Sequence, residues 1–386
     1  MSRLIYLIAG EPSGDRLGAD LMHALRAEEP DIRFAGLGGI EMRAAGLEPL
    51  FDITELSVMG LVEVLPRLPS LLRRMSEVTA DVLAKNPDAL ITIDSPSFSL
   101  RVAERVRKAS PQIPTIHYVA PSVWAWRPGR AKQMAAYIDH VLALLPFEPP
   151  YMEAAGMTCD FVGHPVAARD RPDPSALADQ QRRWTGGTEM PCLLLAPGSR
   201  KGEVRRLMPL YREVLQRLQD DAIDFVPIIP VAETVRSEVH EAAATLPSQP
   251  VFILPEDGED AKRLAFAAVD AALVASGTIT LEMAAARTPM VAVYKTNWLT
   301  AQIVRRIVKV STANLINLVA AGNPVPEFLQ EYATVDAVGG ALSALLLDPD
   351  ARADQLVAFE KVIAELGGGA GGPAGRAARS VLAHLG

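Results

Sequence analysis

Asp270-Ala271-Ala272-Leu273-Val274-Ala275-Ser276-Gly277-Thr278-Ile279-Thr280-Leu281-Glu282 runs from an unbroken apolar stretch through a small-residue turn into a helical pattern. An apolar strand that does not alternate belongs to a parallel sheet covered on both faces. Amides opening the helix after Ser276-Gly277-Thr278 point at an anion, with the positive end of the helix dipole behind them. Glu282 falls one turn into the helix, where a carboxylate can accept from ribose hydroxyls. The same letters also read as an ordinary Ser/Thr helix start with an acid in its first turn. The rest of the chain has to separate the two readings.

Outward from this stretch the strand-and-helix unit recurs. Apolar runs at Leu4 to Ala9, Ala89 to Ile93, Thr115 to Val119 and Val141 to Leu145 form one series. Cys192 to Ala196, Phe225 to Ile229, Val251 to Leu254, Ala271 to Ala275 and Met290 to Tyr294 form a second. Such repetition predicts α/β architecture with parallel sheets. The polar, Pro-bearing stretch Arg169 to Pro191 separates the series, and Gly367 to Pro373 makes a second break. The expected organisation is a Rossmann-like domain over 1–168, a linker over 169–190, a second Rossmann-like domain over 191–366, a Gly-rich linker over 367–375 and a C-terminal helix over 376–386. Two domains of this size imply a cleft.

Composition narrows the class. The 386 residues are 49% hydrophobic and 22% charged, which fits an ordered globular protein and excludes a disordered or coiled-coil chain. No apolar run is long enough to span a bilayer. The run at Met1 to Gly10 reads as a strand rather than a signal segment, because it enters Glu11-Pro12-Ser13-Gly14-Asp15 without a separate charged leader. Only Cys159 and Cys192 are present, pointing to a reducing, cytoplasmic setting and away from a metal site. The net charge of −8 argues against nucleic-acid binding. Yet no Asp or Glu lies between Glu282 and Glu327, while Arg287, Lys295, Arg305, Arg306 and Lys309 all do, a distribution suited to an anionic ligand or lipid surface.

Ligands of open parallel sheets bind outside the carboxyl ends of the strands, and the unusual residues fall there. Gly10-Glu11-Pro12-Ser13-Gly14-Asp15 lacks the Walker A and three-glycine dinucleotide patterns. It reads as a tight turn or as a cleft-lining loop. Asp94, followed by Ser95-Pro96, is either a turn aspartate or a rigidly held general base. His117 and His164 are further bases or hydrogen-bonded structural residues. Trp124-Ala125-Trp126-Arg127 interleaves aromatics and cations, a pattern for stacking on sugars or bases, for a membrane interface, or for core packing. Pro197-Gly198-Ser199-Arg200 before a helix offers amides and a guanidinium to a diphosphate. Val64, Leu65, Leu68, Leu71, Leu72 and Met75 with Arg67, Arg73 and Arg74 form a basic amphipathic segment. Trp298, Leu299, Ile303, Val304, Ile307 and Val308 with Arg305, Arg306 and Lys309 form another. Each packs on a core or lies at a membrane surface.

Together the ordered stretches Ala9 to Asp15, Ile93 to Pro96, His117 to Trp126, Leu145-Pro146-Phe147-Glu148, Phe161 to Pro165, Pro197 to Arg200, Ser276-Gly277-Thr278 and Pro326-Glu327-Phe328-Leu329-Gln330 resemble the lipid-A-disaccharide synthase family. The resemblance covers most of the chain, and the tryptophan motif is its most specific part. Ser97 departs from it, standing where the family commonly has an acid.

The resemblance implies GT-B architecture, with two Rossmann-like domains facing a cleft. It implies transfer of 2,3-diacylglucosamine from UDP-2,3-diacylglucosamine to the 6-hydroxyl of 2,3-diacylglucosamine 1-phosphate, giving a β-1,6 disaccharide 1-phosphate and UDP in lipid A biosynthesis. Asp94 is the expected catalytic base of an inverting displacement. Arg200, the amides of Ser276, Gly277 and Thr278, and Glu282, Asn317, Glu327 and Gln330 are expected on the UDP-sugar side. Glu11, Ser13, Gly14, Asp15, His117, Ser122, Trp124 and Trp126 are the cleft and acceptor candidates. No metal or cofactor is expected, since no Asp-x-Asp pair lies near either nucleotide turn. The acylated substrates give the two basic segments a role against an anionic leaflet, and hence a peripheral place on the inner face of the inner membrane. A homodimer is compatible with the sequence. A GT-B UDP-N-acetylglucosamine epimerase and a non-catalytic lipid-binding scaffold are the competing readings.

Overall fold

The computed structural model describes residues 2–56, 61–125, 129–297, 312–367 and 371–386, and within 61–68 the backbone alone. The chain folds as two units, Met1–Ala168 with Leu366–Gly386, and Arg169–Glu365. Each is built on a six-stranded sheet.

In the first unit the strands are β1 (Leu4–Ala9), β2 (Arg33–Leu37), β3 (Ala89–Ile93), β4 (Thr115–Tyr118), β5 (His140–Ala143) and β6 (Thr158–Phe161). All pair in parallel, in the order β2-β1-β3-β4-β5-β6. The direction of winding reverses between β1 and β3, whose registered ends are Ala9 and Ile93. Along β1 the side chains alternate between two buried cores. Tyr6 and Ile8 pack with Val78 and Val82 of the helix Leu61–Lys85 and Val102 and Val106 of the helix Ser99–Ala109. Ile5 and Leu7 pack with Leu21 and Leu25 of the helix Pro12–Glu28 and with Ala377, Ala378 and Val381 of the helix Gly372–Leu385. The last helix therefore covers the first strand, and Arg376 holds it there by donating to the carbonyls of Val162 (2.8 Å) and Gly367 (2.9 Å).

The second unit contains β7 (Cys192–Ala196), β8 (Val226–Pro230), β9 (Val251–Ile253), β10 (Ala271–Ala275), β11 (Met290–Tyr294) and β12 (Glu327–Leu329). These too are parallel, in the order β12-β11-β10-β7-β8-β9. Counted within this half, the winding reverses between β7 and β10, as in a Rossmann sheet. Ala196 and Val274 are register partners there, so the turns after β7 and β10 leave the sheet side by side.

The stretch expected as a linker over 169–190 is not one. Asp173 caps a helix, Pro174–Thr185, by accepting from the Ser175 amide (2.8 Å), and the helix belongs to the second unit. The C-terminal helix starts at Gly372 rather than at the expected Arg376, because Pro373 suits a first helical turn. Of the two basic segments, Trp298 to Lys309 lies outside the described residues, as do the side chains of Val64, Leu65, Arg67 and Leu68. Farther along the helix Leu61–Lys85, Met75 is core while Leu72 stays partly exposed. Arg74 is bound to Glu55 (2.5 Å) and Glu77 (2.7 Å) and stacks on Phe51. No helix among the described residues is long and apolar enough to cross a membrane.

Candidate functional site

At the winding reversal of the second sheet, β7 ends in Pro197-Gly198-Ser199-Arg200 and the helix Lys201–Asp220 begins. Gly198 sits at φ +103°, and a Cβ there would lie 2.2 Å from Glu203 Oε2, so the turn closes only with glycine. Glu203 reaches back to the Arg200 amide (3.3 Å) and pairs with its guanidinium (3.0 Å). The pair is exposed and holds Arg200 only weakly.

Beside it, β10 gives way to Ser276-Gly277-Thr278 and the helix Ile279–Ala286. The Ser276 amide does not face the anion site as expected, because it continues the ladder to the Val293 carbonyl (2.8 Å). Among the described residues the amides of Gly277, Thr278 and Ile279 make no hydrogen bond, leaving three donors at the positive end of the helix. They open into a cavity of about 840 Å³, whose wall also includes Arg200, Leu254, Lys262, Phe266 and Glu282. That is the size of a small-molecule site.

Glu282 lines this cavity but not as a bare acceptor. Lys262 (3.3 Å) and Arg169 (3.3 Å) both pair with it. A carboxylate has about four acceptor positions, so capacity for a hydroxyl remains. No sequence signal marks Arg169 or Lys262. The first lies in the stretch expected as a linker, the second on a helix without a motif.

Glu327, Gln330 and Asn317 lie outside the cavity wall. Glu327 accepts from Ser276 Oγ (2.7 Å), from the Thr312 hydroxyl and from the Ala313 amide (3.2 Å), so it fixes the turn that presents the free amides. Gln330 accepts from the Thr296 amide (3.2 Å). Asn317 is buried, and its side-chain amide spans both backbone groups of Val325 at 3.0 Å each. It braces the loop before β12 instead of facing a ligand.

In the first unit, β1 and β3 part around Gly10 and Asp94. A Cβ on Gly10 would stand 2.7 Å from Ser95 Oγ, so the two turns touch only because the first lacks a side chain. Asp94 and Ser95 both adopt left-handed backbone, φ +46° and +43°. That conformation costs roughly 1–2 kcal/mol for each such residue. The Asp94 amide donates to the Tyr118 carbonyl (3.0 Å), and its own carbonyl accepts from Ser99 Oγ (2.6 Å). Its half-buried carboxylate has no hydrogen-bond partner among the described residues. A strained backbone that holds out an unengaged carboxylate fits a base awaiting substrate.

Around Asp94 the candidates separate. Glu11 and Ser13 are exposed at the start of the helix Pro12–Glu28, and Gly14 is buried against the Ile93 carbonyl. Asp15, expected in the cleft, is 4% exposed. It accepts from the amides of Gly39 (2.6 Å), Glu41 (2.9 Å) and Met42 (3.1 Å), which makes it the clamp of the helix Ile40–Ala44. Ser122 is exposed. Trp124 Nε1 donates to Glu148 Oε1 (3.3 Å), and the ring meets Phe147 edge-on. Trp126 lies outside the described residues. His164 Nδ1 accepts from the Val166 amide (3.2 Å).

His117 is excluded as a base. It is 1% exposed in the middle of the sheet, bonded to Thr92 Oγ1 (2.8 Å), and burial together with nearby Arg130 pushes its pKa down to about 3. Between that value and the ordinary 6.5 the unfolded chain binds a proton that the folded one refuses, so stability falls as pH drops below about 6.5. His117→Gln is expected to flatten the acid limb of a thermal-melting profile and to leave the pH dependence of turnover near neutrality unchanged. A turnover profile displaced by this substitution would return His117 to the reacting groups.

Two parallel Rossmann-like sheets, one with an anion-receptive turn at its winding reversal and the other with a half-buried carboxylate at its own, make up the GT-B architecture. Solved structures of that fold agree. A putative UDP-N-acetylglucosamine 2-epimerase from Listeria monocytogenes matches with a TM-score of 0.66 at 13% identity, covering 100% of this chain and 96% of that one. The calicheamicin glycosyltransferase matches at 0.57 and 16%, covering 100% and 98%. The lipid-A-disaccharide synthetase family model matches residues 5–373. The lipid-A-disaccharide synthase of Ruegeria pomeroyi is 50% identical over 386 residues, 99% of this chain and 95% of its own. The chain therefore belongs to the lipid-A-disaccharide synthase family and is a glycosyltransferase.

Proposed function

We propose that the chain transfers 2,3-diacylglucosamine from UDP-2,3-diacylglucosamine to the 6-hydroxyl of 2,3-diacylglucosamine 1-phosphate, with inversion. The observation that carries this reading is the trio of unengaged amides at Gly277, Thr278 and Ile279, opening into a cavity that also holds Arg200 and Lys262. These are the donors a departing nucleoside diphosphate needs, already in place before charge develops. Glu282 accepts from the ribose.

Asp94 removes the proton from the acceptor hydroxyl as its oxygen forms the new bond to the anomeric carbon. The bond from that carbon to the diphosphate oxygen breaks, and UDP leaves with the negative charge. Glu11, Ser13, Ser122 and Trp124 surround the acceptor. The segments Val64 to Met75 and Trp298 to Lys309 bring the protein to the anionic leaflet that holds both acylated substrates, which places it peripherally on the cytoplasmic face of the inner membrane.

The test is UDP release from UDP-2,3-diacylglucosamine in mixed micelles, with and without 2,3-diacylglucosamine 1-phosphate and without added divalent metal. Release that requires the acceptor and yields a disaccharide is expected. Release from the donor alone, or none, would overturn the reading.

A further inference from the structure

Glu148 is a buried carboxylate near the first unit's turns that the reaction above does not use. It is 3% exposed. Its Oε2 accepts from the amides of Leu144 (3.1 Å) and Leu145 (3.0 Å), just beyond the carboxyl end of β5. Its Oε1 accepts from the indole of Trp124 (3.3 Å). Trp124 lies in the loop that leaves β4 at Val119, a β-branched residue forced to φ +81°. The Val119 amide bonds to the Leu142 carbonyl (3.0 Å), and the residue before it accepts from the Asp94 amide (3.0 Å). One carboxylate thus ties two neighbouring strand ends together, beside the turn that carries Asp94.

We propose that Glu148 is a positioning residue for the acceptor, clamping the Trp124 loop to the end of β5 so that the loop presents one fixed face beside Asp94. This rests on the transfer reaction proposed above. The clamp holds best when the carboxylate is ionised. A proton on Oε1 would remove the charge that strengthens this bond and set an O–H donor beside the indole N–H, loosening Trp124 while the two amides kept Oε2. Burial pushes the Glu148 carboxyl up to about 7, against the lowering effect of its three N–H donors. Burial pushes the Cys159 thiol of β6 up to about 12, with the charges of Glu148, Asp160 and Glu153 acting the same way, so this thiol stays neutral across the range. The clamp therefore engages as pH rises through neutrality.

The test compares wild type, Glu148→Gln and Trp124→Phe by acceptor KM, donor KM, UDP affinity and tryptophan emission across neutral pH. Both variants are expected to raise acceptor KM about tenfold or more, the scale of one hydrogen bond to a charged group, with donor KM and UDP affinity within about twofold of wild type. Glu148→Gln combined with Trp124→Phe should do no further harm, since both remove one contact. Wild type is expected to show an emission step across neutral pH, and that step should vanish in Glu148→Gln. Donor and acceptor constants worsening together, or an emission step and acceptor KM unchanged in Glu148→Gln, would overturn the clamp. Should Glu148→Gln fail to fold, the wild-type emission titration decides: a step near neutrality is expected, and its absence would overturn the clamp. If wild type forms no disaccharide, the transfer reaction fails, and the emission titration still decides the clamp.

Discussion

Asp94→Asn is expected to lower disaccharide formation by about 10²–10⁴-fold, the usual contribution of a positioned general base, while UDP affinity stays unchanged. Asparagine tolerates left-handed backbone as well as aspartate does, so the turn at φ +46° should survive. The substitution therefore removes the proton acceptor and little else. A kcat within a few-fold of wild type would mean that the proton goes elsewhere. Asp94→Gly adds an independent check. It relieves the strain at that position, so it should raise the melting temperature while abolishing turnover, the trade expected where a conformation is held for chemistry.

The second large effect is expected at Glu327, which touches no ligand in the proposed reaction. Glu327→Ala strips an acceptor from Ser276 Oγ, the Thr312 hydroxyl and the Ala313 amide at once. Leaving such donors unmatched costs about 1–3 kcal/mol for each one that water cannot reach. The loss falls on the turn bearing the Gly277 to Ile279 amides. Donor KM should therefore rise at least tenfold, with acceptor KM nearly unchanged, as measured by initial rates at saturating partner substrate. Equal losses on both sides would show that Glu327 supports the unit generally and does not specifically fix the donor turn.

The strands visible in the sequence are those buried on both faces. Cys192 to Ala196 and Ala271 to Ala275 are apolar throughout, and Ala89 to Ile93 is apolar but for Thr92, because helices cover them above and below. Arg33–Leu37, Thr158–Phe161 and Glu327–Leu329 carry no such signal, for the same physical reason in reverse. Each is a sheet edge, shorter or more polar, and one contains Gly36. At the sites, position along the chain identified which turns meet at the strand ends but not which atoms were already engaged. Asp15, His117 and Asn317 carry the right chemical groups for a ligand, yet each is bound to the protein itself. Conversely, Lys262, Arg169 and Glu148 reach their places only through folding, although Glu148 stood within one of the resembling stretches.

The helix Gly372–Leu385, which covers β1 and the helix Pro12–Glu28, has a consequence for biosynthesis. The second unit is one uninterrupted stretch, Arg169–Glu365, so all its strands leave the ribosome before the first unit owns its last helix. At roughly 5–20 residues per second, the about 200 residues in between take on the order of 10–40 s to translate. During that wait Ile5, Leu7 and their neighbours form a nascent apolar surface without its final cover. Translation order and folding order are thus crossed in this chain, and the part synthesised first is the part completed last.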